Sequence, residues 1–175
     1  SHCPEATMKG IQGTFKLKDD KIEKPTMYLG AQISQKVIGG VECWTMSSDQ
    51  YIKAATANVE AKLDKTGQRL PTRCTTPLQS GYRPELDVSA ELKIDGIRYY
   101  QELIGVLRWS IELGRVDIAT EVSMLSTHLA LPREGHLQQV YHMFAYLKAK
   151  PKKTLAFDPQ HPDIDESRFV KCDWH

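Results

Sequence analysis

The sequence predicts an α+β protein, mainly helical, and three observations carry that expectation. From Tyr99 to Lys148, three helix-period patterns follow one another with almost no spacer. Gly39-Gly40 stands between two strand-like runs, a strong hairpin signal. Ser47-Ser48-Asp49-Gln50 has the form of a capping box that opens a further helix.

The three-helix unit is the centre of the chain. Tyr100, Leu103, Ile104, Leu107 and Ile111 form the first apolar stripe, Ile118, Val122, Leu125 and Leu129 the second, and Leu137, Val140, Phe144 and Leu147 the third. Three such stripes can bury one another. Gly114 follows the first where a left-handed C-terminal cap would sit. Asp117 falls at the start of the second, where negative charge is favoured, and Pro132 opens the third.

Upstream, Pro4 to Gln12 reads as a short helix, and Phe15-Lys16-Leu17-Lys18 alternates with period two. Tyr28 to Ile33 reads as a strand with Gly30 in its interior, where a glycine lets another backbone or a ligand approach. Val41 to Met46 is its hairpin partner. The helix opened by the capping box carries Ile52, Ala55, Val59 and Leu63 on one face and stops near Gly67. Gln68 to Asp95, with Pro71, Pro77 and Pro84, is too long for a structureless loop and is expected to pack down or to bind something. Leu155 to Phe157 reads as a strand, Asp158 to Glu166 as a solvated loop, and Phe169 as the start of a last strand.

Composition narrows the function classes. At 175 residues the chain can bury a substantial core, and no run approaches the ~18 apolar residues of a membrane span. A net charge of +1 does not advertise a nucleic-acid binder, so any basic surface must be local, with Lys148, Lys150, Lys152 and Lys153 as one source. The four cysteines, Cys3, Cys43, Cys74 and Cys172, lack zinc-site spacing. They read as free thiols of an intracellular chain, although four could make two bridges in a secreted one. Ser1 at one end and the abrupt strand at the other read as edges of a piece cut from a longer polyprotein.

No catalytic constellation assembles. Asp19-Asp20 suggests a carboxylate pair for magnesium, but Leu17 stands where the polymerase hairpin needs an aromatic residue, and a solvated turn accounts for the pair. His128, His136 and His142 share no face with a second ligand at helical spacing. There is no glycine-rich phosphate loop and no Gly-x-Ser-x-Gly elbow.

An ordered series of phrases resembles the downstream part of a copia-type retrotransposon reverse transcriptase. Tyr28-Leu29-Gly30 resembles the family's primer-grip hairpin, Gln50-Tyr51-Ile52 the start of its thumb helix, and Thr76-Pro77-Leu78 a landmark in the following connection. Tyr100 to Leu107 resembles its Tyr-Arg-x-Leu-Ile-Gly-x-Leu helix. Arg115-Val116-Asp117-Ile118-Ala119 resembles its Arg-Pro-Asp-Ile-Ala motif with valine for proline, and His136 and Tyr146-Leu147-Lys148 complete the order.

The resemblance implies residues 1–46 as the end of a palm with the primer-grip hairpin. It implies 47–98 as thumb helix and connection, 99–150 as a helical thumb and connection unit, and 151–175 as the first strands of a ribonuclease H-like sheet. It implies a segment that positions an RNA–DNA or DNA primer–template duplex for the parent's palm and fingers. Tyr28, Leu29, Gly30, Lys53, Lys62 and Lys65 are its candidate contacts. The family's catalytic aspartates fall before Ser1, so no cofactor is expected here, and magnesium is expected for the parent enzyme. Cys172-Asp173-Trp174 resembles half of the ribonuclease H Asp-x-Asp-Trp sequence, and Lys171 stands where an ungapped alignment puts the first aspartate. Asp173 alone cannot build a two-metal site. The parent element would work in cytoplasmic particles or the nucleus. The competing reading is a helical interaction module, or a relic or domesticated retroelement segment, that binds no nucleic acid.

Overall fold

The structure, a computed structural model, describes residues 4–16 and 24–160. The expectations at Leu17 to Asp20, at the strand from Phe169, and for Cys3, Cys172 and Asp173 lie outside the described residues. The elements run α1 (Pro4–Thr14), β1 (Met27–Tyr28), β2 (Ala31–Ile38), β3 (Val41–Ser47), α2 (Asp49–Asp64), α3 (Ile94–Glu112), α4 (Ala119–Ser126), α5 (Glu134–Ala149) and β4 (Thr154–Phe157). The expected α+β class is therefore present, with helices forming the core and one antiparallel sheet, ordered β1-β2-β3-β4, at its side.

The hairpin forms at Gly39-Gly40, with Ile38 opposite Val41 and both glycines at positive φ, the backbone that a two-residue primed turn requires. The sequence reading of Gly30 needs correction. Tyr28 pairs with Ala31, so Leu29 and Gly30 are the two central residues of a second tight turn, at φ 49° and 97°. The run from Tyr28 to Ile33 looks continuous in sequence because Leu29 bears an apolar side chain where turns ordinarily place Asn or Gly. The strand expected at Leu155–Phe157 is present, and its partner is β3, with Trp44 opposite Phe157.

The capping box does not form as read. Ser47 is still in β3, opposite Gln32 and Thr154, so α2 opens at Asp49 with Ser48 as its cap residue and no side-chain capping bond. The Ser47 hydroxyl donates instead to the Asp49 carboxylate at 2.9 Å. The end of α2 follows the sequence. Gly67 takes φ 70°, and its N–H and that of Gln68 donate to the Asp64 and Leu63 carbonyls, a Schellman ending.

The core joins Ile52, Val59 and Leu63 of α2 to Tyr100, Leu103, Ile104 and Leu107 of α3, Val122 and Leu125 of α4, and Val140, Phe144 and Leu147 of α5. The Tyr100 hydroxyl, fully buried, donates to the Leu125 carbonyl at 2.7 Å, so its polar atom is not left unpaired in the core. Two boundaries move. After Ser126 the backbone tightens to i→i−3 bonds through Thr127 and His128, which leaves Leu129 beyond the helix. At α5 the cap residue is Arg133 rather than Pro132; its N–H donates to the His136 imidazole at 3.0 Å.

The long connection packs down as expected, in a form the sequence does not show. It runs antiparallel along the whole of α5. Cys74 and Thr76 meet His142, Gln79 meets Gln139, the Pro84 carbonyl meets His136, and Leu92 donates to Pro132. His136, Gln139 and His142 recur every three residues, a polar ridge that binds the strap's backbone.

Candidate nucleic-acid interface

The tip of the first hairpin is exposed. Tyr28 and Leu29 stand in solvent while Ala31 is buried. Gly30 sits over Leu113: a Cβ placed on it would lie 3.9 Å from a Leu113 methyl. The turn is thus seated against the C-terminal end of α3. Its glycine serves the positive φ of the turn. Register puts Tyr28, Val37, Trp44 and Phe157 on one face of the sheet, all of them exposed.

The lysines nominated from sequence do not all share a surface. Lys53 and Lys62 are nine residues apart, about half a turn around the helix, so they leave α2 in opposite directions. Lys62 places its ammonium 3.2 Å from the centroid of the Tyr99 ring, at the α2–α3 seam, and Lys65 follows one turn on, exposed. The basic run after α5 is largely engaged within the molecule. Lys148 pairs with Glu60, Lys150 donates to the Thr75 carbonyl, and Lys153 reaches Asp117.

A different surface was missed by counting charges. On α3, Gln101, Gly105, Arg108 and Trp109 are all exposed and form one stripe opposite the buried Tyr100, Leu103, Ile104 and Leu107. A glycine inside a helix costs about 0.5–1 kcal/mol relative to alanine. Packing explains two other helical glycines: a Cβ on Gly135 would fall on the Asp87 carboxylate, and one on Gly96 would lie 3.2 Å from Leu92, whereas Gly10 and Gly13 of α1 stand in open space. A Cβ on Gly105 would meet no atom within 4 Å. Among the described residues no packing contact requires that glycine, and it keeps the helix surface low.

Shallow grooves flank the stripe. One is lined by Gln101, Ile104, Gly105, Arg108 and Leu129, the other by Arg108, Ile111, Glu112 and small residues of α4, Ala119, Ser123 and Ser126. Arg108 lines both and has no bonded partner among the described residues. The signal available in sequence was the fourfold spacing of Gln101, Gly105 and Trp109, the positions the apolar stripe leaves outward.

A buried ionic joint sets this helix against the sheet. Arg115, with 0% exposure, donates from Nε and Nη2 to both oxygens of Asp117 at 2.8 and 3.0 Å, and from Nη1 to the Lys150 carbonyl at 3.1 Å. Tyr146 and Lys153 donate to the same carboxylate. Burial alone would raise the Asp117 pKa, but the bonds from Arg115, Tyr146 and Lys153 outweigh it and hold the carboxyl well below the usual range. Gly114, at φ 103°, brings this joint onto the sheet, where a Cβ would lie 3.4 Å from Leu155 and 3.6 Å from Met46. The Arg-x-Asp phrase is therefore structural.

Two other polar clusters are also structural. Asp87 accepts from the Tyr82 hydroxyl at 2.6 Å and from Ser89, whose hydroxyl in turn accepts the Gly135 N–H at 2.8 Å. Burial would raise the Asp87 carboxyl, but these donors hold it below its ordinary value. His142 donates from Nε2 to the Thr76 carbonyl, which leaves Nδ1 to accept the Cys74 thiol at 3.5 Å. Burial pushes that thiol's pKa up, away from the reactive thiolate. Among the described residues no group of three His, Cys, Asp or Glu side chains is placed to hold a metal, and no helix is long and apolar enough to cross a membrane.

No protein-family model matches the chain, and no solved structure matches it. It is similar to a Saccharomyces cerevisiae protein described as "Putative transposon Ty5-1 protein", with 32% identity over 134 residues. The matched region is 76% of this chain and 39% of that protein, so the chain spans well under half of the relative's length. That similarity relates the chain to a retrotransposon protein.

Proposed function

We propose that this chain is the duplex-positioning segment of a copia-type retrotransposon reverse transcriptase, and that α3 is the helix that meets the primer–template duplex. The observation that carries the reading is Gly105, a helix-interior glycine with open space above it, flanked along one stripe by Gln101, Arg108 and Trp109. A low helix surface admits the sugar–phosphate wall of a duplex groove. Gln101, whose amide nitrogen is held by the Leu129 carbonyl, offers its oxygen as acceptor and its second N–H as donor, arginine a phosphate contact, and tryptophan a flat face. The Tyr28–Gly30 turn, docked on the same helix end at Leu113, is set to meet the primer strand. Lys62 and Lys65 add charge along the α2 edge facing α3, and Lys53 serves elsewhere. In this reading the magnesium-dependent nucleotidyl transfer belongs to the parent's palm.

The test is binding of the folded chain to a labelled RNA–DNA hybrid. Binding should weaken at least tenfold in Gly105→Leu and fall with salt, while Lys53→Ala has little effect. Hybrid binding that is indifferent to Gly105→Leu would refute the role given to α3.

One observation favours a second reading, that of a protein-interaction module. Val37, Trp44 and Phe157 leave an apolar patch on the sheet that a partner domain would cover. A chain that binds no hybrid at low salt but associates with the parent's palm would support it.

A further inference from the structure

Beyond the α3 stripe, a second basic surface lies on the other side of α2. Glu60 and Lys62 are two residues apart, about 200° around the helix, so they mark opposite flanks. Lys62 points to Tyr99 of α3, whereas Glu60 pairs with Lys148 at the end of α5. On the Glu60 flank the strap begins its course. Arg69 shares with Lys148 a cavity of about 400 Å³ that Glu60, Asp64, Leu70 and Thr72 complete. Lys150 donates to the Thr75 carbonyl, which holds its ammonium beside the same stretch of strap. Arg69 and Arg73 are exposed and have no bonded partner among the described residues. Glu60 and Asp64 balance Arg69 and Lys148 in the cavity, and Arg73 and Lys150 add two cations along the next residues of the strap, so this stretch is positive although the chain is almost neutral.

The backbone supplies an independent observation. Arg73 sits at φ 59°, in the left-handed region that favours glycine. It is held there by the two residues that follow it. Cys74 is buried and bonded to His142, and the Thr75 carbonyl is bonded to Lys150. An exposed arginine kept where glycine would be unstrained marks a position at which the side chain is used.

We infer that Arg69 and Arg73 of the strap, with Lys148 and Lys150 of α5, form a binding surface for closely spaced phosphates, and that its ligand is the backbone of a nucleic-acid strand. Arginine forks suit phosphate oxygens, and the lysines, held by Glu60 and the Thr75 carbonyl, add point charges beside them. The surface faces away from the α3 stripe, so it would hold a single strand or a duplex end distinct from the duplex on α3. The inference does not require α3 to bind anything.

The probes are inorganic tripolyphosphate, followed by calorimetry at low salt, and a labelled single-stranded DNA followed across a salt titration. Arg73→Gly separates a used side chain from a structural one. It should raise the melting temperature by about 2–4 °C through relief of the left-handed backbone, yet weaken both ligands about tenfold. Adding Arg69→Ala should lower the salt slope for the single strand by about 1.4. Gly105→Leu should leave tripolyphosphate binding unchanged. Equal tripolyphosphate affinity in the wild type and the double variant would overturn the site. Tripolyphosphate binding without single-strand binding would overturn the assignment to nucleic acid. Wild-type protein that binds both probes but no hybrid would count against α3 and leave this surface standing.

Discussion

The guanidinium of Arg115 and the carboxylate of Asp117 form a two-pronged pair at 2.8 and 3.0 Å, two residues apart in sequence and enclosed between α3, α5 and the sheet. Removing the guanidinium leaves the carboxylate with only Tyr146 and Lys153, and takes from the Lys150 carbonyl its donor. Arg115→Ala is therefore expected to cost about 3 kcal/mol in urea unfolding, the lower end for a broken buried pair. Arg115→Lys should recover only part of that loss, because an ammonium cannot reach both carboxylate oxygens and the Lys150 carbonyl together.

The same carboxylate predicts an acid dependence. Its folded pKa lies below the unfolded value, so its stabilisation is fully present above about pH 4, the unfolded range, and is lost as pH falls through that range and below. Stability should fall from pH 5 to pH 3 in the wild type. Asp117→Asn, less stable at neutral pH, should show a shallower decline over that interval. An equally steep decline in both would assign the acid sensitivity to other carboxylates, Asp87 first.

Glycines 105 and 135 are expected to respond to alanine with opposite signs. Gly105→Ala fills open space and gains helix propensity, so it should stabilise by about 0.5–1 kcal/mol. Gly135→Ala drives a methyl onto Asp87 and should destabilise by about 1–3 kcal/mol, visible as a lowered urea midpoint. The stabilised Gly105→Ala protein should nevertheless bind hybrid more weakly than the wild type.

His136 joins the start of α5 to the strap through both ring nitrogens, accepting from the Arg133 N–H and donating to the Pro84 carbonyl, each at 3.0 Å. His136→Phe keeps the ring volume, leaves the Arg133 N–H unpaired, and leaves the Pro84 carbonyl with the Asp87 N–H as its remaining donor. It should cost about 1–3 kcal/mol, with faster amide exchange from Tyr82 to Leu92 as the local readout.

What the sequence made legible was periodicity. The stripes of α2, α3 and α5 and the turns at Gly39-Gly40, Gly67 and Gly114 follow from local rules and stand where those rules put them. The strap did not, because its bonds to His136, Gln139 and His142 link residues more than fifty positions apart and have no period of their own. Gly30 was misplaced because Leu29 adopts a backbone that leucine rarely takes. For the candidate interface, counting cations pointed to α2, whereas the side of α2 from which each lysine leaves depends on the helical angle. Gly105 was legible as an interior glycine, but only the space above it separates it from Gly135.

The central claim, that α3 carries the duplex, is tested most directly by the affinity of the Gly105→Leu chain for a labelled RNA–DNA hybrid, measured across salt beside the wild type and with helical content matched by circular dichroism. Leucine forms helix well and its Cβ would meet no atom of the described residues within 4 Å on an exposed stripe, so the variant should be as stable as the wild type or more so. The account predicts wild-type binding that falls steeply with salt and a loss of at least tenfold, about 1.4 kcal/mol, in the variant. Equal affinity in the two proteins, or no wild-type binding at low salt, would contradict it.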